Sequence, residues 1–294
     1  MKPASFDYHR VDRVEDALER LAELGEDAKV LAGGQSLVPM MNFRLVRPPA
    51  LVDVTRIPDL RYVARDGDAL RIGALTTHRE IETLRDLGVV AGYELLPRAA
   101  RWVGHYPIRT RGTFGGSVAH ADPSAEWCML AVLLDATLVV RGPEGEREIP
   151  AGDFFLGFFT TSLEPGELLV EVRFPRPRPH AALHEFARRH GDFAIVAVAV
   201  AVDVDGDRIR EPRVVVGGVD DVPLRVEAAE QALDGVAPGA EAFAEAGRAA
   251  AGAVDPSSDV HGSAQYRKDL TDVLVRRALA EAIHVDHPGS DGRG

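Results

Sequence analysis

Two pairs of adjacent glycines, each set among small residues, constrain this chain more than any other feature. The first lies in Ala32-Gly33-Gly34-Gln35-Ser36 and the second in Thr113-Phe114-Gly115-Gly116-Ser117. Adjacent glycines let the backbone take positive φ and carry its N–H groups close to a ligand. A concave row of such N–H groups binds anions, phosphate above all. Singly, such a segment reads more readily as a tight structural turn. Together they point to a ligand with a pyrophosphate, held from both sides.

The familiar nucleotide folds do not supply that site. Neither Gly-x-Gly-x-x-Gly after a first strand nor Gly-x-x-x-x-Gly-Lys-Ser/Thr is present, which removes the doubly wound and P-loop routes. Val14, Ala17, Leu18, Leu21 and Ala22 fall at helical spacing, with Gly25 as a stop. Short strands are expected at Lys29 to Leu31 and Leu51 to Val54. Asp66-Gly67 and Pro143-Glu144-Gly145 are hairpin turn signals between apolar runs. Helices are expected at Thr77 to Leu87 and Glu94 to Val103. Beyond the alternating prolines of Phe174 to Pro179, an extended connector, strands are expected at Phe186, Phe193 to Val204 and Arg213 to Val216. Helices follow at Leu224 to Leu233, Glu241 to Ala251 and Ala264 to Ile283, the last with Tyr266, Leu270, Val273, Leu274 and Ala278 on its apolar face. Strand and crossover helix do not alternate regularly, which makes the fold α+β. The expected division is 1–176, 177–286 and a disordered tail at 287–294.

The net charge of −12 argues against nucleic acid or an anionic membrane as a general partner. The longest apolar run, Phe193 to Val202, is too short to span a bilayer as a helix. The N-terminus has no apolar core of signal-peptide length, so the expected location is cytoplasmic. The single cysteine, Cys128, rules out an internal disulfide and a self-contained cluster with four cysteine ligands.

The flanks of the glycine pairs carry a family likeness. Ala32 to Leu37 reads Ala-Gly-Gly-Gln-Ser-Leu. Arg109 to Glu126 reads Arg-Thr-Arg-Gly-Thr-Phe-Gly-Gly-Ser-Val-Ala-His-Ala-Asp-Pro-Ser-Ala-Glu. Both resemble signatures of the flavin-binding medium subunit of molybdenum hydroxylases, the carbon monoxide dehydrogenase and xanthine dehydrogenase type. The likeness continues through Gly73 to His78, Pro165 to Leu169, Arg188 to Ala194, Val216 to Val219 and Ala264 to Arg267.

The resemblance implies a PCMH-type FAD-binding domain of two α/β subdomains, followed by a C-terminal domain with a small antiparallel sheet and helices. It implies non-covalent FAD. Ala32, Gly33, Gly34, Gln35 and Ser36 would hold the pyrophosphate together with Gly112, Thr113, Gly115, Gly116 and Ser117. Backbone N–H groups would do most of this, helped by the hydroxyls of Ser36, Thr113 and Ser117. Leu37, Gly104, Ile108 and Ala119 would line the cofactor wall. Glu126, or Asp122 as the alternative, would accept from hydroxyls of the ribose or ribityl chain. Leu163, Glu185 and Phe193 would approach the isoalloxazine. Relatives often carry lysine near Glu185, so cationic tuning of the flavin from there is in doubt.

The implied partners are a large molybdenum-cofactor subunit and a small subunit with two [2Fe–2S] clusters, as a dimer of heterotrimers. Electrons would pass from the nearer cluster to the FAD and on to a quinone or NAD. The assembly could also sit at the inner face of the membrane. Two alternatives stand beside this: a stand-alone FAD-dependent oxidase or dehydrogenase, and a non-catalytic assembly subunit. No residue is assigned a catalytic or metal-binding role. His120 and Asp122 are too few for a tetrahedral zinc site. Cys128 reads as a packing residue, His78 as structural or solvent-facing, and Gly217-Gly218 as a structural turn. Arg188 and Arg189 are open between surface, partner and flavin-edge roles.

Overall fold

The computed structural model describes residues 2–189 and 191–284, and the expected tail at 287–294 lies outside the described residues. Strands Asp7–Arg10, Ala50–Asp53 and Lys29–Leu31 lie side by side in that order as a parallel sheet. Helix Val14–Leu24 makes the crossover from the first to the third. Its Val14, Ala17 and Leu21 are buried, and Gly25 ends it at a φ of 76°. The strand Asp7–Arg10 has no signal in periodicity, because its Asp-Tyr-His-Arg side chains are largely exposed. Its ladder with Ala50–Asp53 holds it in place.

An antiparallel sheet of five strands follows, in the order Val63–Asp66, Ala69–Gly73, Leu168–Phe174, Thr137–Gly142, Gly145–Pro150. Both expected hairpins are there. The central strand Leu168–Phe174 is buried along almost its whole length, so it shows no inside–outside alternation to read. Helices Phe114–His120 and Glu126–Leu133 belong to the core beside this sheet. Phe114 packs edge-on against Trp127 at 5.0 Å and against Phe174 at 6.2 Å. Each such buried ring contributes about 2–3 kcal/mol.

The C-terminal part is an antiparallel sheet of His180–Phe186, Val196–Asp205, Arg208–Gly217 and Leu224–Arg225. One face, with Ala181, Leu183, Ala197, Ala199, Ala201 and Val215, joins the core around Trp127. The other, with Val196, Val198, Val200 and Val214, packs on helices Glu227–Leu233, Ala240–Ala253 and Ala264–His284. The last helix is turned relative to expectation. Its buried face is Arg267, Thr271, Leu274, Val275, Ala278, Leu279 and Ala282, while Tyr266 stays 40% exposed. The cause is Arg267, whose guanidinium donates to the carbonyls of Ile195 at 2.5 Å and Gly218 at 2.9 Å and pairs with Asp259 at 2.8 Å. Apolar periodicity does not count a charged residue as inside.

The proline connector is docked onto the body of the chain. Arg178 is buried and its N–H donates to the Gly92 carbonyl at 2.8 Å. Among the described residues no helix is long and apolar enough to cross a membrane.

Candidate functional site

A cavity of about 900 Å³ opens between the parallel sheet, the second glycine segment and the loop before strand Val196–Asp205. That volume lies toward the top of the range for small-molecule sites, roughly 300–1,000 Å³. The two glycine segments touch inside it. A Cβ on Gly33 would lie 2.3 Å from the Arg111 carbonyl oxygen and 2.7 Å from the Gly112 Cα. A Cβ on Gly115 would lie 2.4 Å from that of Ala74. The segments therefore form one continuous wall of backbone, and glycine is required where that wall is closest.

The two segments use their donors differently. The N–H groups of Gly33, Gly34, Gln35 and Ser36 meet no acceptor among the described residues. The Gln35 side chain ties the loop by donating to the Gly33 carbonyl at 3.1 Å, and Gly34 sits at a φ of +69°. This is an open nest of the kind that receives an anion. In the second segment the donors from Phe114 to Ser117 are already used, while the Thr113 N–H meets no acceptor among the described residues. Gly115 N–H donates to the Ala74 carbonyl at 2.9 Å and Ser117 N–H to the Thr113 carbonyl at 3.0 Å. Gly116 N–H donates to Thr113 Oγ1 at 3.2 Å, so Thr113 is the N-cap of helix Phe114–His120. The open backbone donors therefore lie in the first segment and at Thr113. The second brings close approach and the hydroxyls of Thr113 and Ser117.

Of the other expected positions, Leu37, Gly104, Ile108, Gly112, Ala119, Asp122, Glu126, Leu163 and Phe193 all line the cavity. Phe193 lies outside the strand expected for it, in the preceding loop, and is 73% exposed. Glu185 does not line the cavity. Its Oε1 is buried without a hydrogen-bond partner.

Asp122 accepts from the Ser124 N–H at 2.8 Å, and burial raises its carboxyl above the ordinary value. Glu126 keeps some surface toward the cavity, yet protein encloses its carboxyl and raises it further, with the Asp122 charge adding to the effect. Burial lowers His120 despite the opposing charge of Asp122, and its ring stacks on Phe159 at 4.7 Å.

His78, which the sequence leaves open between structural and solvent-facing roles, is buried beneath the second segment. Trp127 Nε1–H donates to its Nδ1 at 2.9 Å, and the His78 backbone N–H donates to the Gly112 carbonyl at 3.0 Å. The Trp127 donor makes Nδ1 an acceptor, so the imidazole is neutral with its proton on Nε2. Burial, then the nearby Arg109 charge, lowers its pKa to about 4. A histidine at a helix start carries no sequence mark of this role, because its partner is a tryptophan far along the chain.

Cys128 is fully buried, with its thiol against the Ser117 carbonyl at 3.7 Å. Gly217 and Gly218 are outside the cavity wall. Gly217 fits against the Pro123 carbonyl and the Met129 sulfur, and Gly218 has a φ of +77°. Arg188 donates to the Val260 carbonyl at 2.9 Å. No cluster of three or more potential metal ligands occurs among the described residues.

Comparison with known proteins matches two family models. Residues 4–177 match the FAD binding domain in molybdopterin dehydrogenase, and residues 181–282 match the CO dehydrogenase flavoprotein C-terminal domain. The chain is 43% identical to the 6-hydroxypseudooxynicotine dehydrogenase complex subunit alpha of Paenarthrobacter nicotinovorans, covering 98% of each protein. It is 36% identical to the carbon monoxide dehydrogenase medium chain of Hydrogenophaga pseudoflava, covering 96% of this chain and 98% of that one. A solved carbon monoxide dehydrogenase structure from that organism superposes with a TM-score of 0.92 at 37% identity, over 96% of this chain and 99% of the other.

Proposed function

Because this chain belongs to the family of FAD-binding medium subunits of molybdenum hydroxylases, we propose that it is the electron-transferring flavoprotein of a larger assembly, with FAD in the cavity described above. The observation that carries this reading is the open row of N–H groups at Gly33 to Ser36, in a wall too close for any side chain at Gly33. That row and the hydroxyls of Ser36, Thr113 and Ser117 suit a pyrophosphate. Asp122 and Glu126 offer acceptors to sugar or ribityl hydroxyls. Leu163 and Phe193 offer apolar surface to a planar ring. The residues present therefore fit FAD held without a covalent bond.

Bound FAD would supply the redox chemistry, exchanging electrons singly or in pairs. The protein supplies position, exclusion of water and the local charge. His78 holds the second segment from below. The Thr113 cap fixes the helix that carries Ser117 and Ala119.

The partners in this reading are a large subunit with the molybdenum cofactor and a small subunit with [2Fe–2S] clusters, arranged as a dimer of heterotrimers. The medium-chain relatives support it, as does the burial of the single cysteine, which leaves this chain without thiolates for a cluster. A quinone or NAD is the external acceptor in the same reading. The chain divides near 176/177 into the FAD-binding part and the C-terminal part, a division supported by the two family matches.

A visible absorption spectrum of the purified chain tests the proposal. The expected result is a flavin spectrum whose colour leaves the protein on acid precipitation, with no oxidation of substrate until the partner subunits are added. A colourless chain that takes up no added FAD, or substrate turnover by the chain alone, would overturn it.

A further inference from the structure

His78 lines the cavity, yet only 4% of its surface is exposed. Trp127, fully buried and packed edge-on against Phe114, holds the ring by donating to Nδ1 at 2.9 Å. An acceptor at Nδ1 leaves the proton of the neutral imidazole on Nε2. That proton has no acceptor. Nε2 makes no hydrogen bond among the described residues, and the atom is not closed off by protein. Its edge of the ring faces Gly112, where a Cβ would lie 2.6 Å from Nε2 and 2.8 Å from Cδ2. Gly112 also lines the cavity, and a Cβ on Gly33 would lie 2.7 Å from its Cα. The free donor therefore opens where the two glycine segments meet, beside the N–H row of Gly33 to Ser36.

A buried donor without an acceptor costs free energy, and a ligand that brings the acceptor removes that cost. The wall has little positive charge to offer an anion. Among the described residues Lys29 is the only lysine or arginine that lines the cavity. Arg109, the charge near His78, is committed to Glu82 at 3.0 Å and to the Gly104 carbonyl at 2.8 Å. An anion at this wall is thus held largely by neutral donors. A neutral imidazole adds one of these without the cost of burying a charge.

Resting on the FAD reading of the cavity, we propose that His78 is a direct ligand of the cofactor, its Nε2–H donating to a pyrophosphate oxygen, and that Trp127 is the positioning residue that fixes the donating tautomer. The glycine at position 112 leaves the Nε2 edge open, since a methyl group there would press on it. The grip on the cofactor is in this way tied to a tryptophan of the core, behind the wall.

The test uses the full chain stripped of FAD, labelled with nitrogen-15 and followed by nuclear magnetic resonance of the histidine rings. Without flavin, His78 should show a protonated Nε2 and an unprotonated Nδ1. Added FAD should move the Nε2–H proton downfield and slow its exchange with water. Trp127→Phe should give a mixture of the two tautomers. His78→Phe should bind FAD about ten- to hundredfold more weakly, while riboflavin, which has no pyrophosphate, binds as it does to wild type. An Nδ1–H tautomer in wild type, an Nε2–H resonance indifferent to FAD, or equal losses of FAD and riboflavin affinity in His78→Phe would overturn the ligand role. An unchanged tautomer in Trp127→Phe would overturn the positioning role. If His78→Phe does not fold, the wild-type spectra still decide. Failure of the wild-type chain to bind FAD would remove the cavity reading itself, a result distinct from binding that leaves His78 untouched.

Discussion

Gly33 shows what one missing side chain does here. Its would-be Cβ meets the Arg111 carbonyl and the Gly112 Cα, both backbone atoms that cannot rotate away. Gly33→Ala therefore has to part the two glycine segments, at a cost on the order of 1–3 kcal/mol. Because about 1.4 kcal/mol is a factor of ten, FAD affinity should fall by about five- to 150-fold in a flavin fluorescence titration. Gly152→Ala, where a Cβ meets open space, should leave it unchanged. An unaltered affinity in Gly33→Ala would show that the contact is not part of the site. His78 gives a second expectation. Its folded-state pKa of about 4 lies below the free value of roughly 6.5. The stabilisation it contributes is thus complete above pH 6.5 and is lost as pH falls through about 4. Thermal unfolding of wild type should show that acid loss, and His78→Gln should show less of it.

At the scale of elements, turn and cap chemistry was readable and tertiary placement was not. Asp66-Gly67 and Pro143-Glu144-Gly145 located two hairpins because glycine at a tight turn is a local requirement. The glycine segments located the cavity wall for the same reason, and their flanks carried the family likeness. Strand Leu168–Phe174 escaped because burial on both faces erases alternation. The face of helix Ala264–His284 escapes apolar periodicity because Arg267 goes inside to meet the Ile195 and Gly218 carbonyls, and Phe193 reads as strand because in sequence an exposed aromatic looks like a core one. The pairing of His78 with Trp127 depends on a contact that no local pattern encodes. The Thr113 cap was hidden within a motif assigned to ligand binding. Thr113→Ala should remove the acceptor of the Gly116 N–H and cost about 1 kcal/mol, whereas Thr113→Ser should cost little. Chemical denaturation of the two variants checks this. Equal losses in both would place the effect in the methyl group rather than the cap.

For the whole molecule, the proposed division near 176/177 does not coincide with a gap in the packing. Ala181, Leu183, Ala197 and Val215 of the C-terminal sheet share a core with Phe114, Trp127 and Phe174. Arg213 of that sheet pairs with Asp135 at 3.4 Å, and Arg98 donates to the Ala181 carbonyl at 2.6 Å. Unfolding of either part would expose apolar surface on the other, so the two should unfold together. Both tryptophans, Trp102 and Trp127, lie before the junction, whereas the longest helices, Ala240–Ala253 and Ala264–His284, lie after it. Tryptophan fluorescence thus reports the first part, and far-ultraviolet circular dichroism weights the second. The two denaturation curves should coincide. Free FAD at a hundred times its dissociation constant should move both together, by about 2.7 kcal/mol. Separate transitions, or an FAD shift confined to the fluorescence curve, would mean that the shared core does not couple the parts.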